Sequence, residues 1–461
     1  MSMSHASPLG KLRIVILICC LILALGILGC SLFNNFYSKV LDKEDITANV
    51  EKHSEDDLNY QFISSYLKKF GIGNINTYKI DEAESKLRRN FYRTLPDKKE
   101  MAEAVTSLFI EYFYDEIDLE DKEAVTDAVL HCMIAVTEDR YAFYRTAEEY
   151  FEYSNSLDGG QEFVGIGVQV NLDTLKISMV FPESGAQEAG IMPYDIIWGV
   201  GDKTQENTKK EDLVEMLKGE VGSTVNVTVK RGEEFHTFTV TRKLLKERTV
   251  YYRLLEGGIG YIQLTQFLGT TAAEFREAVD FFTANGAKGL LVDVRYNPGG
   301  LLSSVVDVID YLTPDAPERR IGSYTMNSGE QVFYTKDGHS VDLPIAVICN
   351  GSTASAAELF TAAMRDYRND GILNTVIVGE NTYGKGIAQS SFLLYDYSGL
   401  TFTIGYFNPP CNVNFNGVGV APDVEVEEVH SVDAPLNTAI SELLKLADPA
   451  PLAYMSADLA A

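Results

Sequence analysis

The sequence predicts an α/β protein, α+β overall, with a catalytic α/β core, a smaller strand-rich domain inserted before it and a helical region ahead of both. Three observations lead there. After Gly257 apolar strands alternate with amphipathic helices, the pattern of a largely parallel sheet. From 161 to 245 the texture is short strands around one helical stretch. From 59 to 160 apolar residues recur at helical spacing. A chain of 461 residues is also too long for one ordinary domain.

The N-terminus comes first. After Lys11 and Arg13, residues Ile14 to Phe33 carry no charge, a length that predicts a membrane-spanning anchor within 1–33. The basic residues precede it, which places the rest of the chain outside the cytoplasm as a single-pass protein of the cell membrane. A second reading sits in the same stretch: "ILGC", 27–30, resembles a lipoprotein cleavage site with Cys30 as the lipidated residue. Residues 34–58 are acidic and polar, a linker. The balance of 39 basic against 66 acidic residues gives −27, which argues against nucleic acid as a partner. Cys19, Cys20 and Cys30 lie in the N-terminal segment; Cys132, Cys349 and Cys411 are scattered. They form no metal spacing and no disulfide framework, so neither a metal nor another cofactor is expected.

The helical region, 59–160, is clearest in "EAVTSLFIEYFYDEI" and "KEAVTDAVLHCMIAV". The strand-rich domain, 161–245, opens with "EFVGIGVQV". There Gly165, Ile166 and Gly167 can turn backbone N–H groups into one concavity, a nest for a carboxylate. Alone, such a triplet reads equally as a turn or bulge. It is followed by "PESGAQEAGIMPYDIIWGVGDK", an amphipathic helix and "GSTVNVTVKRG". The whole stretch resembles a PDZ domain. The usual proline–glycine–aspartate turn reads Pro193, Tyr194, Asp195 here, a departure in a turn and not in the groove. The resemblance implies capture of apolar C-termini, with the carboxylate at Gly165, Ile166 and Gly167.

The core, 246–430, raises a question of chemistry. The apolar strand "LPIAVIC" runs into "NGSTASAAELF", Asn350 to Phe360. A hydroxyl at such a junction is either an N-cap or a nucleophile at the positive end of a helix. A nucleophilic serine needs a base. The histidines (His5, His53, His131, His236, His339, His430) sit in no catalytic context, and the G-x-S-x-G elbow is absent. The remaining option is a Ser-Lys pair, whose lysine must be neutral to act, a state that burial favours. "TVIVGENTYGKGIAQSSF" offers Lys385 between Gly384 and Gly386, with Gln389 four residues on. Alone, G-K-G reads equally as an exposed turn. "DVRYNPGG", Asp293 to Gly300, ends a buried strand in a turn whose N–H groups suit an oxyanion.

In this order, with "TEDRYAFYRTAEEY" before the PDZ-like stretch and "GVGVAPDVEV" at 417–426, these motifs resemble the carboxy-terminal processing (tail-specific) protease family over about 100–440. The resemblance implies Ser355 as nucleophile, Lys385 as general base and Gln389 as the residue orienting it. The oxyanion would lie on the N–H of Ala356 with that of Gly299 or Gly300. Ser352 and Ser390 do not match. It implies a ClpP/crotonase-like core of stacked ββα units, a C-terminal helix and tail over 431–461, and protein or peptide substrates with apolar C-termini. It also implies homo-oligomerisation through the helical region. One departure is a longer connection, "RDYRNDGILN", expected as a surface loop. Two rivals remain: a tethered PDZ adaptor that cuts nothing, and a crotonase-type acyl-transfer enzyme.

Overall fold

The computed structural model describes residues 63–172, 174–428 and 433–447. The expected anchor, Cys30, the linker and the C-terminal tail lie outside the described residues. Among the described residues no helix is long and apolar enough to cross a membrane.

Three of the first four described helices start where a polar side chain satisfies their first N–H groups. After α1 (Ile63–Lys69) come α2 (Thr77–Asn90), α3 (Lys98–Tyr112) and α4 (Lys122–Ala135). Asn76, Asp97 and Asp121 cap the last three, and Glu100 completes a capping box on α3. β1 (Phe143–Arg145) and α5 (Ala147–Asp158) follow. The strand-rich segment holds β2 (Glu162–Gly165), β3 (Val168–Asn171), β4 (Lys176–Val180), α6 (Gly185–Ala189) and β5 (Ile196–Val200). It continues with β6 (Lys203–Thr204), α7 (Lys210–Glu215), β7 (Thr224–Arg231), β8 (Glu234–Thr241) and β9 (Lys243–Lys246). The core then runs through β10 (Val250–Leu255), β11 (Ile259–Leu264), α8 (Thr271–Ala284), β12 (Gly289–Asp293) and α9 (Leu302–Leu312). β13 (Arg320–Met326), β14 (Gly329–Tyr334), β15 (Ile345–Cys349), α10 (Ala356–Asn369) and β16 (Thr375–Gly379) come next. β17 (Ile387–Leu393), β18 (Gly399–Asn408), β19 (Val424–Glu425) and α11 (Ala434–Ala447) complete it.

The chain forms two compact units. The first takes residues through Leu157 with Arg320–Tyr334 and Lys385–Val418; the second takes Asp158–Arg319, Thr335–Gly384 and Gly419 onward. In the first, β17 pairs with β18, and β18 pairs on with β1 and β13. A buried polar network ties its helices to the loop before β18. Lys79 Nζ lies 3.1 Å from Asp127 and 2.8 Å from Asp396, and the Tyr144 hydroxyl donates to Asp127 at 2.6 Å.

In the second unit a six-stranded sheet runs β10-β11-β12-β15-β16-β19, parallel except for the β10/β11 pair. Every residue of β12, β15 and β16 is buried, which explains their unbroken apolar runs. α11 sets Ala439 and Leu443 against Leu291, Ala346, Ile348, Val376 and Val378. Pleat alternation sends Leu290, Val292, Val347 and Ile377 to the opposite face, and α10 packs on β15 and β16. The strand-rich segment has its own sheet, β3-β4-β5-β7-β8, and its own core around Ile166, Ile197, Leu213 and Val229.

One expectation needs correction. The stretch "RDYRNDGILN" is not all loop, because α10 continues to Asn369 and leaves only 370–374 as the connection. Phe360, Met364 and Tyr367 extend one apolar stripe at helical spacing, and Tyr367 is 1% exposed, so burial of that ring keeps the helix wound.

Candidate active site

Parallel sheets present their sites beyond the carboxyl ends of their strands. Here Asp293 pairs in register with Ile348, and Cys349 with Gly379, so β12, β15 and β16 end level. The three motifs singled out in the sequence leave these neighbouring ends: "VRYNPGG" from β12, "NGSTASAA" from β15 and "ENTYG" from β16. Residues more than 80 positions apart in sequence are thereby gathered at one edge of the second unit.

The turn after β15 is held by side chains. The Asn350 N–H donates to Thr353 Oγ1 at 3.0 Å, and that hydroxyl donates to the Val294 carbonyl at 2.9 Å. Asn350 Oδ1 accepts from Ser352 N and from Tyr296 N, both at 3.1 Å. Ser352 and Thr353 are thus committed to the turn. Ser355 follows with φ +57° and ψ −118°, a conformation an L residue adopts only under constraint. The result is a sharp strand-to-helix bend at a serine, made without the G-x-S-x-G sequence. Its carbonyl takes the Glu358 N–H at 2.9 Å, so the backbone caps α10.

Glu358, wholly buried, does the complementary work. Its Oε2 accepts from the Ser355 N–H at 2.9 Å, while Oε1 accepts from the Gly384 N–H at 2.6 Å and from the Thr382 hydroxyl at 2.5 Å. The Tyr383 N–H donates to the Thr353 carbonyl at 3.0 Å. The segment after β16 is therefore laced to the serine turn as far as Gly384, the residue before Lys385.

The turn after β12 is pinned by buried Asn297. Its Nδ2 donates to the Leu264 carbonyl at 2.9 Å, and its Oδ1 accepts from the Gly299 N–H at 2.9 Å. Leu301 N donates to the Phe267 carbonyl at 2.7 Å, and Ala354 N to the Asn297 carbonyl at 2.9 Å. Both glycines are required. A Cβ on Gly299, at φ +99°, would lie 2.7 Å from Ser355 Cβ; one on Gly300, at φ +138°, would lie 2.1 Å from the Phe267 carbonyl oxygen. Gly299 has spent its N–H on Asn297, whereas the bonds described here leave those of Gly300 and Ala356 unused.

Upstream, Arg295 chelates Asp293 (Nη2 to Oδ2, 2.6 Å) and reaches Asp433 at 2.9 Å. Burial lowers its affinity for the proton, but Asp293 and Asp433 outweigh that and raise it. Arg295 Nη1 also donates to the Tyr194 hydroxyl at 3.2 Å. Tyr194 is the residue that departs from the usual turn of the strand-rich segment, and its φ is +74°. The departure thus makes a specific bond. Burial pushes the Cys349 thiol up to about 12, which suits an inert core residue.

The first unit carries the lysine. Lys385 Nζ donates to Gln389 Oε1 at 3.0 Å and lies 4.3 Å above the centre of the Tyr141 ring. Gln389 Nε2 in turn donates to the Tyr141 carbonyl. Gln389 sits where the β17/β18 register shifts, after Ala388. Gly386 is spatially required, since a Cβ there would come within 2.7 Å of Asn416 N. Lysine, glutamine and tyrosine are so arranged within one unit, and Tyr141 belongs to the "EDRYAFY" stretch.

In the strand-rich segment Gly165, Ile166 and Gly167 form the bend between β2 and β3. Ile166 is buried, its carbonyl accepting from Ala186 N at 2.9 Å. A Cβ on Gly167, at φ +81°, would strike Ser184. β3 is the end strand of its sheet, and Gly165 lies beside Leu217 and Lys218, just past α7.

Residues 258–426 match the model of peptidase family S41, and 163–241 match a PDZ domain. A carboxyl-terminal-processing protease of Picosynechococcus sp. is 31% identical over 307 residues, 64% of this chain and 72% of that protein. The chain belongs to peptidase family S41. Within S41 it is also similar to a CtpA-like serine protease of Staphylococcus saprophyticus, at 28% identity over 72% of this chain and 66% of the relative. The chain thus spans just under two thirds of that relative's length. Among solved structures, a photosystem II D1 C-terminal processing protease shares the fold, with TM-score 0.52 and 23% identity over 80% of this chain and 97% of that one. The S41 family is one of serine-type, C-terminal processing peptidases, and this member has a PDZ domain.

Sequence reasoning passed over Glu358, Asn297 and Tyr141. For Glu358 the signal was present: Ser355-Ala-Ala-Glu358 has the capping-box spacing. Nothing local marks Asn297 or Tyr141, whose partners are distant in sequence.

Proposed function

We propose that this protein is an endopeptidase that recognises apolar C-terminal tails through its PDZ domain and cleaves near that end with a Ser355–Lys385 dyad. The observation that carries the reading is Ser355 itself, held at φ +57° at the level end of β15 between the Pro-Gly-Gly turn and the segment running into Lys385. A strained serine beside a turn that requires two glycines is costly for a mere helix cap.

In this mechanism neutral Lys385 accepts the Ser355 hydroxyl proton as Oγ attacks the scissile carbonyl. Gln389, also bonded to the Tyr141 carbonyl, orients the amine. The N–H groups of Ala356 and Gly300 receive the oxyanion, the positive end of α10 adding about 1 kcal/mol. The lysine ammonium returns its proton to the leaving amine, and water, activated by the same lysine, hydrolyses the acyl-enzyme. The open edge of β3 accepts an extended tail by strand addition, with its carboxylate at Gly165, Ile166 and Gly167. The uncharged run at 14–33 supports a tether at the cell membrane with the catalytic part outside, either a spanning helix or a lipid on Cys30.

The test is degradation of an unstructured protein with an apolar C-terminus by the full chain, by Ser355→Ala and by Lys385→Ala. Cleavage by the parent and by neither variant is expected. Equal cleavage by all three removes Ser355 from the mechanism. Tail binding without any cleavage would establish the adaptor instead.

A further inference from the structure

We infer that Glu358 is the positioning residue of this site, one buried carboxylate that fixes the Ser355 turn against the segment ending at Gly384, from which the chain runs on into Lys385. The inference rests on the protease reading and adds a role that reading does not require.

Ser355 sits in a conformation that relaxes unless something opposes it. Its own carbonyl is used by the Glu358 N–H, which orients the start of α10 but leaves the Ser355 peptide able to rotate. The bond that stops this rotation is Ser355 N–H to Glu358 Oε2 at 2.9 Å. The other oxygen of the same carboxylate faces the second segment, taking the Gly384 N–H at 2.6 Å and the Thr382 hydroxyl at 2.5 Å. Thr382 extends the link, since its hydroxyl oxygen accepts from Val420 N at 2.7 Å. Two motifs thus meet on one side chain, the serine turn and the segment before Lys385, and Thr382 joins the "GVGVAPD" stretch to the second.

The chemistry explains why this residue is a glutamate. Each of the three bonds to the Glu358 side chain points a donor at the carboxylate. A carboxylate accepts at both oxygens and donates at neither, while an amide of the same shape has one accepting end only. A fully buried carboxylate is retained only when its oxygens are well bonded, and here both are. Glu358 also sits in the first turn of α10, where a negative charge is favoured. It touches neither substrate nor reacting atoms in the proposed mechanism.

Glu358→Gln tests this without removing volume. One end of the amide must face an N–H or hydroxyl donor, so the link between the two segments is broken and neither holds the other. The full chain and the variant are compared in two ways. The first needs no substrate: hydrogen exchange read by mass spectrometry over peptides covering 351–358 and 380–386. Exchange of both peptides is expected to rise together by about tenfold or more, with the peptides of β12 and β16 unchanged. The second is turnover of the apolar-tailed substrate together with labelling of Ser355 by a fluorophosphonate. A drop in kcat and in labelling rate of about 100-fold is expected, with KM and tail-peptide affinity within twofold.

Unchanged exchange in both peptides overturns the tether. Coupled exchange with unaltered kcat and labelling overturns the positioning role. A parallel fall in thermal stability with kcat restored on cooling would reduce Glu358 to a structural residue and equally overturn it. Should the parent cut nothing, the protease reading fails while the exchange result still decides whether the two segments are coupled. If Glu358→Gln does not fold, Glu358→Asp, which keeps the charge but loses the reach, serves for the same measurements.

Discussion

Substituting Gly300 by alanine tests the oxyanion assignment and the turn geometry together. A Cβ there would stand 2.1 Å from the Phe267 carbonyl oxygen, 2.8 Å from its carbon and 3.2 Å from its Cα. Real Cβ atoms stay beyond about 3 Å, so the turn must move by roughly 1 Å relative to the end of β11. The residue would also carry a side chain at φ +138°, which adds strain of about 1–3 kcal/mol. With overpacking of comparable size the loss is about 2–5 kcal/mol. For a unit of this size that corresponds to a fall in melting temperature of roughly 5–15 °C. If the Gly300 N–H is an oxyanion donor, the same displacement takes it away from the developing charge, and loss of one such donor costs about 10²–10³ in kcat. The assay is tail-peptide turnover well below the melting transition, with calorimetry and tail-peptide affinity measured on the same sample. The expected result is a large fall in kcat, a lower melting temperature and unaltered tail affinity. A fall in melting temperature with kcat within threefold of the parent would refute Gly300 as donor. No change in either would refute the close approach of Gly300 to Phe267.

Two further predictions concern other parts of the chain. Tyr194→Phe removes the hydroxyl that accepts from Arg295 Nη1 at 3.2 Å; because Asp293 and Asp433 still hold the guanidinium, the cost should be only about 1–2 kcal/mol, read as a lower urea midpoint, and an unchanged midpoint would show that the bond carries nothing. His131 is held at about 3, first by burial and then by the nearby Lys79 charge, against about 6.5 in the unfolded chain. A depressed histidine is neutral when folded and protonates when unfolded, so its contribution is fully present above about 6.5 and is lost as pH falls toward 3, at up to about 1.4 kcal/mol per pH unit. Urea midpoints from pH 7 to 4.5 should therefore fall more steeply for the parent than for His131→Phe, which keeps the edge contact with Tyr144; equal slopes would refute the assignment.

What could be read from the sequence is what depends on runs and order. β12, β15 and β16 announce themselves because strands buried on both faces need continuous apolar residues, and their spacing fixes which turns end up side by side. The helix was legible in "AAELFTAAMRDY" as far as Tyr367, and only its last two residues, Arg368 and Asn369, read as loop, because both are polar and carry no apolar signal. Tyr194 read as a harmless turn variant because its partner, Arg295, lies 101 positions away. The choice between Gly299 and Gly300 was open in the sequence because both are glycines in one motif. The structure adds that the Gly299 N–H is bonded to the Asn297 side chain, which is why Gly300 is the donor in the proposed mechanism.

The absence of G-x-S-x-G is instructive for the same reason. An elbow serine needs positive φ, and positive φ crowds the residues around it, so the familiar sequence supplies glycines on either side. Here the positions two residues before and after Ser355 are Thr353 and Ala357, both buried, and the room is made from another strand: Gly299, whose missing Cβ would otherwise lie 2.7 Å from Ser355 Cβ, 2.8 Å from Ala356 N and 2.9 Å from the Ala354 carbonyl oxygen. The requirement for empty space is the same, but a neighbouring turn meets it. A motif search along the chain cannot see this, because the glycine lies 56 positions upstream. The physical requirement predicts that alanine at Gly299 should disturb the Ser355 turn as strongly as any change next to the serine itself, since the three atoms it would strike all belong to that turn.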